Sequence, residues 1–487
     1  MSIELRSATP LSLETALARA GKPPGQSQQQ QQQQQTDDSR TTTRPPSPLE
    51  EESGPDGSVD DGSHGRHEFS LPPTDTGKDA WLFLLASFMM EAFVWGFPFS
   101  FGVFQSYYST HEPFAGSSQI AVIGTCALGI MYLDIPLVMA LLRLYPKQAR
   151  YAPAGGIVVM CAALGLSSLS QTTTQLMATQ GVLYALGGSI TYCPCILYMD
   201  EWFVRRKGLA YGIMWSGTGL GGIATPLLLE FLLGRYGFRV ALRVWAAALF
   251  AGTLPLVYFM KPRLPAPAAG RRSINLGFVF QRTFLLHQAA NVVEALGYFV
   301  PGIYLPSYAR TVLGASGLES ALTLLVVNGA AVVGCVAMGW LTDRRPVTTC
   351  ILVSTGGTAA AVFLLWGLGR GLAALYAFCV LYGLFAGAYT STWPGIMRQV
   401  TAPSGEDGAG GRAFDPIMVC GFLAMGRGIG NVVSGPLSEA LMANMPWKGE
   451  AAAGFGSGYG TLIAFTGTTA VMGGGSYLCR RVGWMPA

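Results

Sequence analysis

Charge is scarce in this chain of 487 residues, because Asp, Glu, Lys and Arg together make up only 12% of it. A soluble globular protein carries about 25%, so an ordinary water-facing surface is excluded. The net charge of +4 is too small for a nucleic-acid-binding protein. Histidine is also rare, with four copies, and there is no phosphate-binding G-x-x-x-x-G-K-[ST] segment. These absences disfavour an enzyme or an ATP-driven machine.

Cysteine shows no pattern that indicates disulfides, metal or redox chemistry. All nine cysteines fall inside apolar segments. Cys193 and Cys195 flank Pro194 as a close pair, but no second pair and no nearby histidine accompany them. We expect them to pack as small apolar side chains and expect neither a metal nor a cofactor.

Residues 1–78 lack any long apolar stretch and contain the polyglutamine segment Gln28–Gln35 among Ser, Thr, Pro and acidic residues. Such a composition cannot bury enough apolar surface to fold, which predicts a disordered cytoplasmic tail. Met1–Ala20 has no continuous apolar region of the kind found in a cleavable signal peptide. The first membrane span is therefore expected to direct insertion.

Apolar segments separated by short basic or Gly/Pro-rich breaks fill the chain from Ala80 onward, and a membrane span needs about 20 such residues. The predicted spans are 80–107, 118–143, 151–170, 175–199, 208–233, 239–260, 278–306, 318–341, 347–368, 372–397, 415–442 and 458–479. A hydrophilic linker at 261–276 separates two six-helix bundles, 79–260 and 277–487. The prediction is an all-α polytopic membrane protein with twelve transmembrane helices in two pseudo-repeats.

The short loops predict the orientation, because Lys and Arg concentrate on the cytoplasmic side of a membrane. Sixteen lie in loops on the side of the N-terminus and five in the opposite loops. Both termini are therefore predicted to face the cytoplasm.

An internal similarity supports two repeats. Span five contains Gly217-Thr-Gly-Leu-Gly221 followed by Pro226 and Glu230, and span eleven contains Gly426-Arg-Gly-Ile-Gly430 followed by Pro436 and Glu439. Chance similarity between Gly-rich helices is the alternative, but both segments lie in the fifth span of their half. This favours the duplication seen in transporters with parallel repeats.

The segment Gly339-Trp-Leu-Thr-Asp343-Arg344-Arg345 ends span eight. The glycine allows close helix approach, and the charged residues can pair with neighbouring helix ends. We therefore predict a conformational latch formed by Gly339, Asp343 and Arg344. At this place in the second half, the segment resembles the loop signature of the major facilitator superfamily.

Two further segments sharpen this resemblance over residues 79–480. The segment from Trp202 to Gly221 is similar to the span-five signature of monocarboxylate-porter-type facilitators, and Gly428–Pro436 is similar to the span-eleven signature of their fungal members. The small residues of span five share one helical face, which predicts close helix packing. They are Gly208, Gly212, Ser216 and Gly219.

Three charged residues of the proton-coupled monocarboxylate carriers of this family are missing. The resemblance places a lysine directly after a Phe-Pro pair, where this chain has Phe99, and an Asp and an Arg at Ala331 and Cys335. Lactate or pyruvate uptake by that route is therefore disfavoured.

Polar side chains inside the spans are the remaining candidates, because they are costly in a membrane. His287, Asn291, Glu294 and Tyr298 share one face of span seven. They can bind substrate and exchange a proton, or they can hold helices together by hydrogen bonds.

Arg427, in span eleven, can attract an anionic substrate group or pair with an acid such as Glu91. The sharpest hypothesis is that Arg427 binds an anionic or strongly polar substrate group while Glu294 and His287 exchange a proton. Glu91 and Asp134 are weaker candidates, and Glu230 and Glu439 are expected to be structural.

The sequence thus predicts a monomeric secondary active transporter in the plasma membrane, with a small-molecule substrate and a coupling proton. Loss of the carboxylate apparatus favours efflux of a fungal secondary metabolite over uptake of a monocarboxylate or vitamin-like nutrient. A non-transporting sensor derived from a carrier is the alternative from another class, and an intramembrane enzyme ranks third.

Overall fold

Long apolar segments form helices in this protein, because a helix satisfies its own backbone hydrogen bonds where water is absent. The structure, a computed structural model, describes residues 71–117, 119–265, 274–402, 414–443 and 445–485. All regular elements within these ranges are helical. Most of the predicted tail, and residues 266–273 of the predicted linker, lie outside the described residues.

The helices before residue 265 form the N-terminal group. They are α1 (Lys78–Thr110, interrupted at Ser100), α2 (Ile120–Leu133), α3 (Ile135–Leu144), α4 (Ala152–Ser167), α5 (Thr173–Trp202) and α6 (Lys207–Thr253).

The helices after residue 274 form the C-terminal group. They are α7 (Arg282–Leu313), α8 (Gly317–Thr342), α9 (Val347–Gly367), α10 (Gly371–Phe385), α11 (Trp393–Thr401), α12 (Pro416–Met442), α13 (Gly460–Gly473) and α14 (Gly475–Arg481).

Every predicted span falls on a helix, but several helices are bent or merged. The spans at 208–233 and 239–260 form the single element α6, which Gly237 interrupts with a φ of 77°. The span at 118–143 is divided into α2 and α3, which meet at an angle of 41°. In the described residues, seven helices are long and apolar enough to cross a membrane, or eight if α2 and α3 form one span. The twelve-span arrangement stays a prediction.

The outer surface of the helices is apolar, which fits contact with lipid rather than water. Leu137, Val158, Phe231 and Leu364 are each more than half exposed. Helix α7 carries the polar residues His287, Gln288, Asn291 and Glu294 and is not among the helices apolar enough to qualify as a span. Three of these side chains are buried inside the protein (His287, Asn291 and Glu294), which explains how so polar a helix is tolerated.

The last residues of the predicted tail are packed against the helices, in contrast to the prediction of disorder up to residue 78. The buried carboxylate of Asp75 accepts hydrogen bonds from the backbone N–H groups of Val204, Arg205 and Arg206, at 2.8–3.3 Å. These groups precede the first turn of α6, where backbone donors have no partner within the helix. Asp75 therefore anchors the chain at the start of α6.

We expect the fold to tolerate deletion of residues 1–70, because this part contributes no apolar segment, whereas Asp75→Ala will lower stability. Removing the acceptor leaves three backbone donors unsatisfied and costs about 1–3 kcal/mol. Thermal unfolding of the detergent-purified protein measures both effects. A deletion variant that unfolds at lower temperature than Asp75→Ala would contradict this assignment.

Candidate functional site

A cavity lies between the two groups of helices, and both groups contribute its walls. Its volume is about 70 Å³. Aromatic rings make up much of the lining: Trp95, Tyr132, Tyr192, Trp215, Tyr298 and Trp393. The Trp95 ring centroid lies 4.6 Å from Tyr132 and 5.5 Å from Tyr192, and Trp215 meets Trp393 across the two groups at 5.5 Å. Such a cavity offers ring faces to a flat solute.

Glu91 is the acidic residue that lines this cavity from the N-terminal group. Its side chain is buried, and Oε1 accepts a hydrogen bond of 2.7 Å from the hydroxyl of Thr218 on α6. Its other oxygen, Oε2, has no hydrogen-bond partner among the described residues. Glu91 does not pair with Arg427. The alternative that Arg427 pairs with a buried acid agrees with the structure, but the acid is Glu294 and not Glu91, which was given as the example.

Arg427 lines the cavity from the C-terminal group and forms an ion pair with an acid of the same group. Its Nη1 donates to Glu294 Oε2 at 2.9 Å, and both side chains are buried. The guanidinium carbon lies 4.0 Å from the ring centroid of Tyr298 and 5.5 Å from that of Phe299. The positive charge is thus compensated by one carboxylate and by aromatic faces.

The two buried polar pairs occupy corresponding places. Glu91 on α1 meets Thr218, and Glu294 on α7 meets Arg427. Thr218 and Arg427 are the equivalent residues of the internal sequence similarity. In each group, an acidic side chain on the first helix therefore bonds to the Gly-rich helix, which is α6 in the N-terminal group and α12 in the C-terminal group.

The other predicted residues of α7 lie away from the cavity lining, apart from Tyr298. His287 Nε2 is 2.9 Å from Gln399 Oε1, and Asn291 Nδ2 donates to the carbonyl oxygen of Leu423 at 2.8 Å. Both side chains are buried, with His287 facing α11 and Asn291 facing α12. In this conformation they connect helices, and a role in proton exchange stays a prediction.

The three positions at which the family resemblance places charged residues all line the cavity. They are Phe99, Ala331 and Cys335. Apolar side chains therefore replace a lysine and an Asp–Arg pair at the site itself. These three positions of the cavity therefore lack the charges that the resemblance to proton-coupled monocarboxylate carriers implies.

The small residues of α6 face α8 at very close range. A Cβ atom at Gly208 would meet the carbonyl oxygen of Gly339 and the Asp343 carboxylate, and one at Gly212 would meet the carbonyl oxygen of Cys335. At Gly219 it would lie 2.7 Å from the carbonyl oxygen of Asn328. Ser216 is buried on the same helix and bonds to its own backbone. The backbones of α6 and α8 are thus in contact between the two groups.

Asp343 connects the two groups of helices. The contact lies at the helix ends that are joined by the Lys- and Arg-rich loops, here called the basic end. Its Oδ1 and Oδ2 accept hydrogen bonds from the backbone N–H groups of Gly208 and Leu209, at 2.7 and 2.8 Å. A carboxylate is favoured at the positive N-terminus of a helix. Arg344, predicted as part of the latch, is exposed and stacks on Trp340 of its own helix at 4.0 Å. It contributes no contact between the groups here.

Two further charged contacts at the basic end were missing from the sequence analysis. Arg143 on α3 pairs with Asp415 at the start of α12, at 2.9 Å, and so joins the two groups. Arg398 on α11 lies 3.3 Å from Asp343 Oδ1. The sequence does contain one indication of the Arg143–Asp415 pair. Arg143 ends one predicted span and Asp415 begins another, so both charges lie at helix ends.

The remaining acidic candidates have local roles. Asp134, at the bend between α2 and α3, accepts a hydrogen bond of 2.6 Å from Ser189. Glu230 and Glu439 are exposed. In the described part of the chain, no group of three or more His, Cys, Asp or Glu side chains suits a metal ion.

Comparison with known proteins gives a consistent result. The family model of the Major Facilitator Superfamily matches residues 149–434. The MFS-type transporter pynF of Aspergillus niger is 28% identical over 390 residues, covering 78% of this chain and 86% of that protein. Monocarboxylate transporter 13 of Bos taurus is 30% identical over 383 residues, covering 77% and 85%. The Fujikurins efflux protein of Gibberella fujikuroi is 26% identical over 325 residues, covering 66% and 69%.

Glu294 and Arg427 are expected to depend on each other for stability. Glu294→Gln or Arg427→Met alone leaves an unpaired buried charge and should cost about 3–5 kcal/mol. The double variant should recover most of this loss, as thermal unfolding of the purified variants will show. Additive losses in the double variant would mean that the pair is not a coupled unit.

Asp343→Asn should open the basic end, because removing the charge weakens two contacts to the N-terminus of α6. A loss of about 1–2 kcal/mol shifts a two-state equilibrium roughly tenfold. Native Cys335 lines the cavity, so its labelling by a membrane-impermeant thiol reagent from the basic side, with the other cysteines replaced, reports opening. Arg344→Gln is the matched control and should label like the parent. Equal labelling of all three proteins would refute the latch.

Proposed function

The chain belongs to the major facilitator superfamily, and we propose that it exports a small organic solute of the secondary-metabolite type from the cytoplasm. It is a carrier, a multi-pass membrane protein that moves a small-molecule substrate. Export takes place across the plasma membrane, and a proton gradient supplies the energy for it.

One observation carries the proposal, namely a cavity walled by both groups of helices and lined by rings. Its fixed cation is neutralised by Glu294. A small carboxylate would find no free positive charge among the described lining residues, whereas an apolar or aromatic solute would find ring surface to pack against. The name of the Fujikurins efflux protein supports export of a fungal product. The name of Monocarboxylate transporter 13 supports the alternative, carboxylate uptake, which the lining of the cavity disfavours.

The helices support twelve spans with both termini in the cytoplasm. At about 1.5 Å per residue, the 52-residue element Lys207–Tyr258 is roughly 78 Å long, more than twice the hydrocarbon thickness of about 30 Å. Two spans joined at Gly237 accommodate this length. The basic loops then lie on the cytoplasmic side, and the contacts of Asp343 and Asp415 close that side in this conformation.

A carrier cycle also accounts for the interlock between α6 and α8. The contacts between α6 and α8 are formed by backbone atoms, by the amide of Asn328 and by the carboxylate of Asp343. They can separate without breaking a buried ion pair, as rocking of two bundles requires. A non-transporting sensor has no need for a cavity between such separable groups. The protein is proposed to act as a monomer, because each chain supplies both walls of the cavity.

The test is accumulation of solutes in inverted plasma-membrane vesicles that carry the protein. Vesicles are incubated with a small-molecule extract of a fungal culture under an imposed pH gradient, and their contents are analysed by mass spectrometry. We expect one or a few compounds to accumulate in inverted vesicles and to be absent with Gly212→Leu, whose side chain forces α6 away from α8. Gly234→Leu, on the same helix, is the matched control, because a Cβ atom there would meet nothing within 4 Å apart from the neighbouring backbone of its own helix.

The alternatives predict other results. Accumulation only in right-side-out vesicles would establish uptake instead of export. No accumulation in either orientation, with folded protein present, would favour the sensor. Normal accumulation with Gly212→Leu would show that the contact between α6 and α8 is irrelevant to transport.

A further inference from the structure

Three buried polar atoms of the cavity-lining residues have no hydrogen-bond partner among the described residues. They are Oε2 of Glu91 and the indole Nε1 atoms of Trp95 and Trp393. Each of these side chains is about 3% exposed. Buried polar groups are nearly always hydrogen-bonded, and leaving one unsatisfied is costly. All three atoms belong to residues around one cavity, which makes them candidates to bind the polar groups of a solute.

These atoms define which groups the solute presents. An indole N–H only donates, so Trp95 and Trp393 require acceptor oxygens. In its ionised form Glu91 only accepts hydrogen bonds, so in that form it requires an O–H or N–H donor. Trp95 belongs to the N-terminal group and Trp393 to the C-terminal group, so one solute would contact both groups of helices.

The charges around the cavity argue against an anionic solute. Arg427 already pairs with Glu294 and lies over the Tyr298 ring. Glu91 takes part in none of the ion pairs among the described residues. An added carboxylate would therefore find no free cation among the described residues that line the cavity. The sequence hypothesis instead had Arg427 bind an anionic or strongly polar substrate group.

We propose that the cavity binds a flat, conjugated or aromatic solute without a carboxylate, which donates a hydroxyl or amine hydrogen bond to Glu91. Carbonyl or ether oxygens of the same solute accept from the indoles of Trp95 and Trp393, and its rings pack against Tyr132, Tyr192 and Trp215. The inference rests on the proposed function for the identity of this cavity as the transport site.

A matched set of four naphthalene compounds tests the proposal by isothermal titration calorimetry with the full-length protein in detergent. The reference, 6-acetyl-2-naphthol, carries both a donor and an acceptor. Its methyl ether, 2-acetyl-6-methoxynaphthalene, lacks the donor, and 2-naphthol lacks the acceptor. In 6-hydroxy-2-naphthoate a carboxylate replaces the acetyl group.

We expect the reference to bind most tightly, and loss of either group to weaken binding about tenfold, the effect of one hydrogen bond to a buried partner. The carboxylate should bind no more tightly than the methyl ether. With Glu91→Met, the reference and its methyl ether should bind equally. With Trp95→Phe or Trp393→Phe, the advantage of the reference over 2-naphthol should shrink. The control Glu230→Met, at an exposed acid, should behave like the parent.

Binding of the four compounds to the wild-type protein decides the outcome even if a variant fails to fold. Tightest binding of the carboxylate, equal binding of all four compounds, or no measurable binding of the reference would each overturn the proposal. If the protein exports solutes of another class, such a result would be accompanied by normal accumulation of solutes in inverted vesicles. Failure of accumulation together with the expected binding order would instead refute export and retain the assigned site.

Discussion

Two carboxylates bind the start of α6, and the arrangement of the whole protein depends on them. Asp75 holds the backbone before the helix from within the N-terminal group, and Asp343 holds its first turn from the C-terminal group. In the proposed rocking cycle the first contact would persist, whereas the second would break. Because glycine backbones meet directly beyond this point, a small separation at Asp343 would spread along α6 and α8 towards the cavity.

The polar pairs Glu294–Arg427 and Glu91–Thr218 would both persist through this proposed movement, because each pair lies within one group of helices. Glu294 and Arg427 belong to the same group of helices and would travel together. Glu91 keeps Thr218 as its partner within the other group. Contacts across the groups near the cavity are formed by ring edges, by backbone atoms and by the hydrogen bond from the Asn328 amide to the carbonyl oxygen of Gly222. Such contacts separate at less cost than a buried ion pair. The cavity can thus change shape while both polar pairs persist.

The features that the sequence predicted well are those encoded by local spacing. Helix positions followed from apolar length, and the small-residue face followed from the spacing of Gly208, Gly212 and Gly219. Asp343 was identified because it ends a helix in a recognisable segment. Arg344 was grouped with it by proximity in sequence, although a side chain at a helix end can equally turn back onto its own helix, as Arg344 does onto Trp340.

Partners distant in sequence were not predictable from spacing alone. Arg427 could pair with either of two buried acids, and only the packing of α7 against α12 selects Glu294 over Glu91. The same holds for Arg143 and Asp415, which belong to different groups. His287 and Asn291 share a helical face with Glu294, but the face turns towards α11 and α12, so only Tyr298 of that set reaches the cavity.

The most direct test of the account is a distance measured across the basic end while the protein works. Spin labels at the exposed positions of Arg205 and Arg345 place one probe on each group, beside the Asp343 contact. Pulsed electron paramagnetic resonance in liposomes should then show two populations, a short distance for the closed basic end and a longer one for the open end. Addition of a transported solute should change their ratio. A single distance that no solute alters would contradict movement of the two groups about this contact.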